Sequence, residues 1–325
     1  MPRDLLARIR ERIVPVRNIQ YKLDQIVDLL LDPQRSGGTG VDPRTVKLGD
    51  RAYFGHEPET GPYVFASTVC RADAFLMPLY SHWTRLMGAP PRFHRKQWEF
   101  VYICQVLSER GYLKPGSRGV GFGVGQEPLA DLFCSKGCEV VATDLAPEEA
   151  VGKGWVETNQ HSAGRETLYR GISDRSDFDA RVSFRHVNMN SIPADLRDFD
   201  FCYSSCSIEH VGSLDLSKAF LERVLDVLRP GGISVHTTEF NLSSNTNTVT
   251  AGPTVLWRRQ DFEQLADRLR AEGHFVEPLD FYQGDSLLDK YVDVPPYSTS
   301  EPHLRLLLGQ YASTSMGFVV RKRAA

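Results

Sequence analysis

The clearest sign of a ligand-binding site in this sequence is a run of four glycines at alternate positions, Gly119, Gly121, Gly123 and Gly125. Without Cβ atoms the backbone can turn tightly and approach a bound molecule, and the N-terminus of the following helix points at the same place. After the apolar segment EVVAT comes Asp144. An acidic residue at the end of a second strand can bind both hydroxyls of a ribose. The pattern therefore predicts a site for a nucleoside-containing cofactor.

The spacing of the glycines distinguishes two classes of cofactor. A dinucleotide fingerprint requires glycines at its first and third positions and Gly or Ala at its sixth. Counted from the first, second or third glycine of this run, the sixth position holds Val124, Gln126 or Pro128. Every register fails, which disfavours a nucleotide-dependent oxidoreductase.

Three further segments follow the glycines in order: VNMNSIP at 187–193, DFDFCYSSCSIEHV at 198–211 and LRPGGISVHTTEF at 228–240. With the GxGxG spacing they resemble the ordered motifs of class I S-adenosylmethionine-dependent methyltransferases, over residues 114–322. The longer pattern HRKQWEF…GFGVGQEPL…ATDLAP is also similar to bacterial methyltransferases associated with polysaccharide and glycan assembly.

The resemblance implies S-adenosylmethionine as cofactor and S-adenosylhomocysteine as its product. Asn188 stands where the family usually has an acidic residue, and it is expected to hydrogen-bond the adenine amino group while Met189 packs on the ring. The cofactor-binding residues predicted in this way are Gly121, Gly123, Gly125, Glu127, Asp144, Leu145, Asn188, Met189, Ser204 and Ser205.

The sequence departs from the family two residues before the first of the three glycines, where an acidic residue usually binds the cofactor's ammonium group. Gly119 stands at this position. Glu127, just after the glycine turn, is expected to bind the ammonium group instead. The alternative is that Glu127 only places a negative charge at a helix N-terminus, which the helix dipole favours.

Methyl transfer from a sulfonium is an in-line displacement, so alignment and exclusion of water supply most of the rate. A hydroxyl acceptor also needs a base, whereas a free amine needs little help. His210, beyond the fourth predicted strand, is one candidate base, with bracing of its loop as the alternative. Glu239, at the end of the fifth strand, is a candidate base, substrate ligand or metal ligand. No ligand spacing among Glu209, His210 and Glu239 singles out a metal, so none is predicted.

Lys96 and Trp98, from an aromatic segment, and His161 are candidates to line the acceptor pocket; core packing or a surface helix is the alternative. The polar segment 241–254 predicts a lid or acceptor-recognition loop. Its hydroxyl and amide content favours O-methylation of a sugar, another small polar metabolite or a glycan. N-methylation of an amino sugar or small amine, and a non-catalytic cofactor-binding oligomeric scaffold, are the alternatives.

Alternating strands and helices after residue 114 predict a doubly wound, seven-stranded, mostly parallel α/β sheet that would position these residues. The predicted strands are 118–121, 139–143, 182–187, 199–204, 233–238, 274–281 and 314–321. The predicted helices are 128–136, 214–228 and 260–272.

Three regions are predicted along the chain. Apolar residues at steps of three or four within 1–32 indicate an amphipathic, coiled-coil-like helix. Such a narrow apolar stripe favours a homo-oligomer formed through this helix, with packing on its own domain as the alternative. Residues 33–113 are expected to form a helical cap or N-terminal subdomain, and residues 114–325 the cofactor-binding domain.

The composition excludes several classes of function. The 325 residues are 41% hydrophobic and carry a net charge of -3, which disfavours a broad nucleic-acid-binding surface. The N-terminus lacks the apolar core of a signal peptide, and no apolar stretch approaches the roughly 18 to 20 residues that span a bilayer. The six cysteines form no CxxC pair, which is typical of packing residues in a reducing cytoplasm.

Overall fold

A computed structural model describes residues 63–150, 161–297 and 302–325. The helix predicted within residues 1–32, and the self-association predicted through it, lie outside the described residues. The α-helices of the described ranges are α1 (Pro78–Leu86), α2 (Arg95–Glu109), α3 (Leu129–Ser135), α4 (Pro147–Ala150), α5 (Arg175–Arg181), α6 (Leu214–Arg223), α7 (Arg259–Ala271) and α8 (Leu287–Lys290).

Strands make up the centre of the fold. They are β1 (Ser67–Thr68), β2 (Arg118–Phe122), β3 (Glu139–Asp144), β4 (Val182–His186), β5 (Phe199–Ser205), β6 (Leu228–Asn241), β7 (Phe275–Val276), β8 (Leu279–Asp280), β9 (Leu306–Leu308) and β10 (Tyr311–Arg321). Short β1 and β8 pair with each other in parallel. The others form one sheet in the order β4-β3-β2-β5-β6-β10-β7, and β9 pairs with β10.

The order of this sheet reverses at β2. Strands β3 and β4 lie on one side of it and β5 and β6 on the other, all parallel, whereas β10 runs antiparallel to β6, β7 and β9. In an open α/β sheet, ligands bind outside the carboxyl ends of the strands at such a reversal. The predicted α/β fold class with a mostly parallel sheet is confirmed, and the crevice lies beyond β2 and β5.

Two predicted elements are each divided in the structure. The strand predicted over 274–281 is divided into β7 and β8, which belong to different sheets, because Pro278 between them has no N–H to donate to a ladder. The helix predicted over 214–228 ends as α6 at Arg223 and continues as a 3₁₀ turn, Val224–Val227. Its start is fixed by Ser213, whose hydroxyl accepts a hydrogen bond from the backbone N–H of Leu216.

The two faces of the sheet pack on separate apolar clusters. Along β5, Phe201 and Tyr203 belong to one cluster and Cys202 to the other, as the two-residue period of a strand requires. Helix α2 covers the Tyr203 face, and Tyr102 of α2 lies against Gly317 of β10, where a Cβ would be 2.1 Å from the Tyr102 ring. The helical segment before residue 113 therefore packs directly on the sheet, although the domain boundary placed there stays a prediction.

Within the described ranges, no helix combines the length and apolar character that crossing a lipid bilayer requires.

Candidate active site

The turn after β2 depends on glycine at two positions. Gly123 and Gly125 have φ angles of +57° and +52°, a left-handed conformation that favours glycine. A Cβ on Gly123 would also lie 2.8 Å from the side chain of Ser207, and a Cβ on Gly121 would lie 2.5 Å from the Tyr203 ring. The predicted glycine turn therefore brings the backbone of β2 close to the residues that follow β5.

A cavity of about 290 Å³ opens beside this turn, at the carboxyl ends of the parallel strands. Most of the residues predicted for the cofactor, the base and the acceptor line it. These are Lys96, Gly123, Gly125, Glu127, Asp144, Leu145, His161, Asn188, Met189, Ser205 and His210.

Asp144 is held at the end of β3 by three backbone amides. Its Oδ2 accepts hydrogen bonds from the N–H groups of Gly125 and Ser162, at 3.0 and 2.9 Å, and its Oδ1 accepts one from Leu145 at 2.8 Å. Burial raises the pKa of Asp144, while these hydrogen bonds act in the opposite direction. The carboxylate therefore ties the glycine turn to the segment that begins at residue 161.

Asn188, Met189 and His161 line the side of the cavity next to Asp144. The amide of Asn188 donates to Glu149 at 2.7 Å, and its oxygen accepts from the backbone N–H of Asn190 at 2.9 Å. His161 lies with its Nε2 2.7 Å from the carbonyl oxygen of Leu145. Met189 keeps 9% of its surface exposed and presents an apolar wall.

Glu127 lies two residues before the start of α3 and is 7% exposed. Neither of its carboxylate oxygens has a hydrogen-bond partner among the described residues. Burial raises the pKa of Glu127 well above its usual range, and Lys96 partly offsets this effect. A buried carboxylate without a partner is costly unless a bound cation or donor satisfies it. The ammonium group of S-adenosylmethionine is such a cation, so this side chain fits the cofactor.

Lys96 reaches the cavity from the first turn of α2. Its Nζ donates to Glu99 Oε2 at 2.9 Å and to the carbonyl oxygen of Ser205 at 3.0 Å. Lys96 and Glu127 influence each other's pKa through their charges. The predicted acceptor-lining lysine therefore lies at the glycine turn, on the same side of the cavity as Glu127.

His210 lies in the 3₁₀ turn Ile208–His210 that follows β5. Its Nδ1 is 2.7 Å from the carbonyl oxygen of Pro253, which can only accept, so Nδ1 carries the proton. Burial lowers the pKa of His210 to about 4. The ring is therefore neutral near pH 7, with the lone pair on Nε2. Residues of the predicted lid segment 241–254 thus orient this side chain.

A buried cluster of charged side chains adjoins the cavity beneath α2, and sequence reasoning missed most of it. Glu99 is fully buried, accepts from Ser205 and Ser315, and pairs with Arg95 and Lys96. Burial opposes ionisation of Glu99, but Lys96 and Arg95 outweigh it and lower its pKa to about 2. The sequence did contain one signal for this cluster, because Glu99 follows Arg95 and Lys96 by four and three residues and so lies on the same face of the helix.

Glu239 belongs to this cluster rather than to the lining of the cavity. It pairs with Arg95 and accepts a hydrogen bond of 2.6 Å from the hydroxyl of Ser313. Cys206, Glu209 and Glu239 bring possible metal-ligand atoms within 4.8 Å of one another. The positive charge that balances Glu239 is supplied by the guanidinium of Arg95.

Three other predicted residues lie outside the lining of the cavity. Ser204 is fully buried, and its hydroxyl pairs with His236 Nδ1 at 2.7 Å, on the opposite face of β5 from Ser205. Trp98 is 1% exposed and stacks on Tyr102 with ring centroids 4.9 Å apart. Gly121 lies within β2, before the turn itself.

Comparisons with known proteins bear on this geometry. Residues 118–236 match a family described as a methyltransferase domain. Among solved structures, an S-adenosylmethionine-dependent methyltransferase from Mesorhizobium loti shares 12% identity over 67% of this chain and 96% of its own, with a TM-score of 0.43. A TehB-like methyltransferase from Corynebacterium glutamicum shares 15% identity over 75% of this chain and 95% of its own, with a TM-score of 0.39.

A third similar structure is the 1,6-didemethyltoxoflavin-N1-methyltransferase of Burkholderia thailandensis, with 1,6-didemethyltoxoflavin and S-adenosylhomocysteine bound. It shares 15% identity over 78% of this chain and 80% of its own, with a TM-score of 0.37. No curated protein matches the sequence.

The strand order and the family match define the class. The chain contains a methyltransferase domain of the class I fold, and its cofactor is S-adenosylmethionine. The matched range lies between α2 and the end of β6, so Lys96, Glu99 and Glu239 stand outside it.

Proposed function

We propose that this chain methylates a hydroxyl group of a sugar or another small polar metabolite, with His210 as the base. The observation that carries the proposal is the orientation of His210 in the cavity wall. Its Nδ1 proton is engaged by Pro253, so the neutral ring keeps the lone pair on Nε2. A hydroxyl needs such a base during attack, whereas an unprotonated amine does not.

S-adenosylmethionine supplies an electrophilic methyl group, and the residues of the cavity bind and orient it. The unpartnered Glu127 carboxylate supports a contact with the cofactor's ammonium group, and Lys96, on the same side of the cavity, supports one with its carboxylate. Lys96 is thereby assigned to the cofactor rather than to the acceptor. This pair of opposite charges would replace the acidic residue that is missing at Gly119.

Asp144 supports a contact with the ribose. A carboxylate offers about four acceptor positions, and three backbone amides use three of them, which leaves roughly one for a ribose hydroxyl. Asn188 and Met189, on the wall next to Asp144, suit the adenine ring. The acceptor then enters beside His210.

The test begins with binding. Calorimetric titration of S-adenosylhomocysteine into the full chain should give micromolar affinity, which Asp144→Ala abolishes, while NADH and NADPH give no heat of binding. Binding of NADPH alone would overturn the assignment of the cavity.

Methyl transfer is tested with S-adenosylmethionine labelled in its methyl group. The hydroxyl probes are methyl glucoside and N-acetylglucosamine, and the amine probes are glucosamine and spermidine. Label in a hydroxyl probe, lost by at least about 100-fold in His210→Asn, supports the proposal. His82→Asn is the matched control, because His82 is exposed on α1. Label in the amines alone, unaffected by His210→Asn, would favour N-methylation.

A further inference from the structure

Tyr203, on β5, has a buried hydroxyl that, like the carboxylate of Glu127, has no hydrogen-bond partner among the described residues. Tyr203 is fully buried and pairs in register with Gly121 of β2. A Cβ on Gly121 would lie 2.6 Å from the Tyr203 hydroxyl oxygen and 2.6 Å from Val124 Cγ1. The Tyr203 ring also makes an edge-on contact with Phe133 of α3, with ring centroids 5.2 Å apart. The hydroxyl is therefore held directly beneath the glycine turn.

Glu127 and Tyr203 approach this buried region from two elements. The backbone N–H of Glu127 donates to the carbonyl oxygen of Val124 at 3.3 Å, so Glu127 is tied to the residue beside the Tyr203 hydroxyl. Burial raises the pKa of Tyr203 well above its usual range, and the negative charge of Glu127 adds to this effect. The two groups therefore lie close enough for the charge of one to act on the other.

We propose that the Tyr203 hydroxyl is a positioning group for the cofactor's amino-acid end: it donates a hydrogen bond to the Glu127 carboxylate when the cofactor's ammonium group is bound. This inference rests on the proposed function, since it assumes that Glu127 contacts the ammonium group. An ionised carboxylate has two oxygens that both need donors when buried. The ammonium group supplies a donor to one oxygen from the cavity, and Tyr203 supplies a donor to the other from the core.

The groups around Glu127 favour a phenol in this role. The titratable and charged groups that face Glu127 from the neighbouring elements are Lys96, Glu99 and Cys104 of α2, Asp144 of β3 and Tyr203 of β5. Lys96 is the cation among them, and its Nζ already donates to Glu99 and to the carbonyl oxygen of Ser205. Tyr203 keeps its proton because its pKa is raised, so it remains a neutral donor.

The same reasoning predicts that the hydroxyl contributes mainly in the bound state. Burial raises the pKa of Glu127 well above its usual range, so without the cofactor this group is neutral near pH 7. Hydrogen bonds to ionised groups are roughly twice as strong as those between neutral groups. The hydroxyl of Tyr203 is therefore held in reserve until Glu127 gives up its proton to solvent.

Tyr203→Phe removes the hydroxyl and keeps the ring. Titration of S-adenosylhomocysteine into the full chain should show an affinity about 10-fold lower in this variant, because a hydrogen bond to a charged group is lost. The affinity for 5′-methylthioadenosine, which has no ammonium group, should be unchanged. In a Glu127→Gln background Tyr203→Phe should have little effect on either ligand. Equal weakening in both backgrounds, or of both ligands, would overturn the inference, since Tyr203 would then act only by packing beneath the turn.

Tyr102→Phe is the matched control. Tyr102 is equally buried, but its hydroxyl donates to the carbonyl oxygen of Ala66 at 2.7 Å. Its loss should lower the urea midpoint and leave the affinity for S-adenosylhomocysteine unchanged. Tyr203→Phe should have the reverse pattern, because the free chain has no hydrogen bond of this hydroxyl to lose. A fall in the urea midpoint as large as that of Tyr102→Phe would show that the hydroxyl is already engaged without the cofactor, against the proposal.

The failure of this inference can be told apart from the failure of the proposed function. If the unmodified chain binds S-adenosylhomocysteine and Glu127→Gln weakens that binding, an unchanged affinity in Tyr203→Phe rejects the role of Tyr203 alone. An unmodified chain that does not bind S-adenosylhomocysteine rejects the proposed function.

Discussion

The aromatic ring of Phe201 fills the space beside Gly119: a Cβ added to Gly119 would lie 2.2 Å from two of its ring carbons. Both residues lie on neighbouring parallel strands, where Gly119 pairs with Phe201 in register. The missing acidic residue of the methyltransferase pattern therefore has a steric cause. Because Phe201 fills the core at this level, the contact with the cofactor's ammonium group is proposed at another position, Glu127, which follows the glycine turn.

The steric relationship predicts strong coupling between these two positions. Gly119→Ala should destabilise the fold by about 1–3 kcal/mol, because overpacking forces the Phe201 ring to move. Phe201→Leu alone should also destabilise, through loss of packing. The double variant should be more stable than the sum of the two effects predicts, by about 1 kcal/mol, since Leu makes room for the new methyl group. Urea unfolding of the four proteins measures this, and strict additivity would contradict the steric explanation.

Two buried glutamates of the charged cluster should affect stability with opposite signs. The pKa of Glu99 is lowered to about 2, so its ionised form stabilises the fold above pH 4.5, and this contribution is lost as the pH falls towards 2. The pKa of Glu209 is raised to about 7, so its ionisation costs stability as the pH rises from 4.5 to 7.

At pH 8, Glu99→Gln should therefore destabilise the protein by roughly 3 kcal/mol, and Glu209→Gln should stabilise it by up to about 3 kcal/mol. At pH 5, Glu209→Gln should leave the stability nearly unchanged, because Glu209 is then protonated in the folded state. Urea unfolding at the two pH values checks both signs. The two variants serve as each other's control. Destabilisation by both at pH 8 would contradict the raised pKa of Glu209.

Binding of the cofactor should release a proton from Glu127. Burial raises the pKa of Glu127 in the free protein, and the cofactor's ammonium group favours the ionised form, so affinity should increase with pH. Calorimetry in two buffers of different ionisation enthalpy measures the released proton. Glu127→Gln should abolish the release and weaken binding about 10- to 100-fold. Glu139→Gln, exposed at the opposite end of the sheet, should change neither quantity.

Replacement of Lys96 should weaken binding only of those ligands that carry the amino-acid part of the cofactor. Lys96→Met should weaken binding of S-adenosylhomocysteine about 10-fold or more, through loss of a charge-assisted hydrogen bond. It should leave binding of 5′-methylthioadenosine unchanged, because that nucleoside lacks the amino-acid end. Competition binding with both ligands measures this difference, with Lys114→Met at an exposed position as control. Equal weakening of both ligands would show that Lys96 acts only through the local fold.

Features set by local spacing were predictable from the sequence. The glycine turn, Asp144 at the end of β3 and the five parallel strands all follow from short-range patterns. Ser204 and Ser205 were both predicted to bind the cofactor, but only Ser205 lines the cavity. The alternation of Phe201, Tyr203 and Ser205 on one face of β5 places Ser205 towards α2 and Ser204 on the opposite face, so the period of the strand already separated them.

The charged cluster depends instead on contacts between distant parts of the chain. Arg95 and Glu99 on α2 meet Glu239 and Ser315 on two strands that are paired antiparallel. No local pattern sets the register between a helix and strands more than a hundred residues away. Sequence reasoning therefore placed Glu239 at the end of its strand as a candidate base or ligand, and missed its ion pair with Arg95.

The seating of α2 also determines when the site can form during synthesis. Gly123 and Asp144 are made early, and the matched domain is complete in sequence by residue 236. Lys96 is held at the turn by the carbonyl oxygen of Ser205 and by Glu99, and Glu99 is anchored in part by Ser315 on β10. A chain still emerging from the ribosome can therefore build the glycine turn before all the contacts that fix the lysine beside it are available. The complete set of contacts around the lysine proposed to bind the cofactor's amino-acid end is therefore available only once β10 has been made.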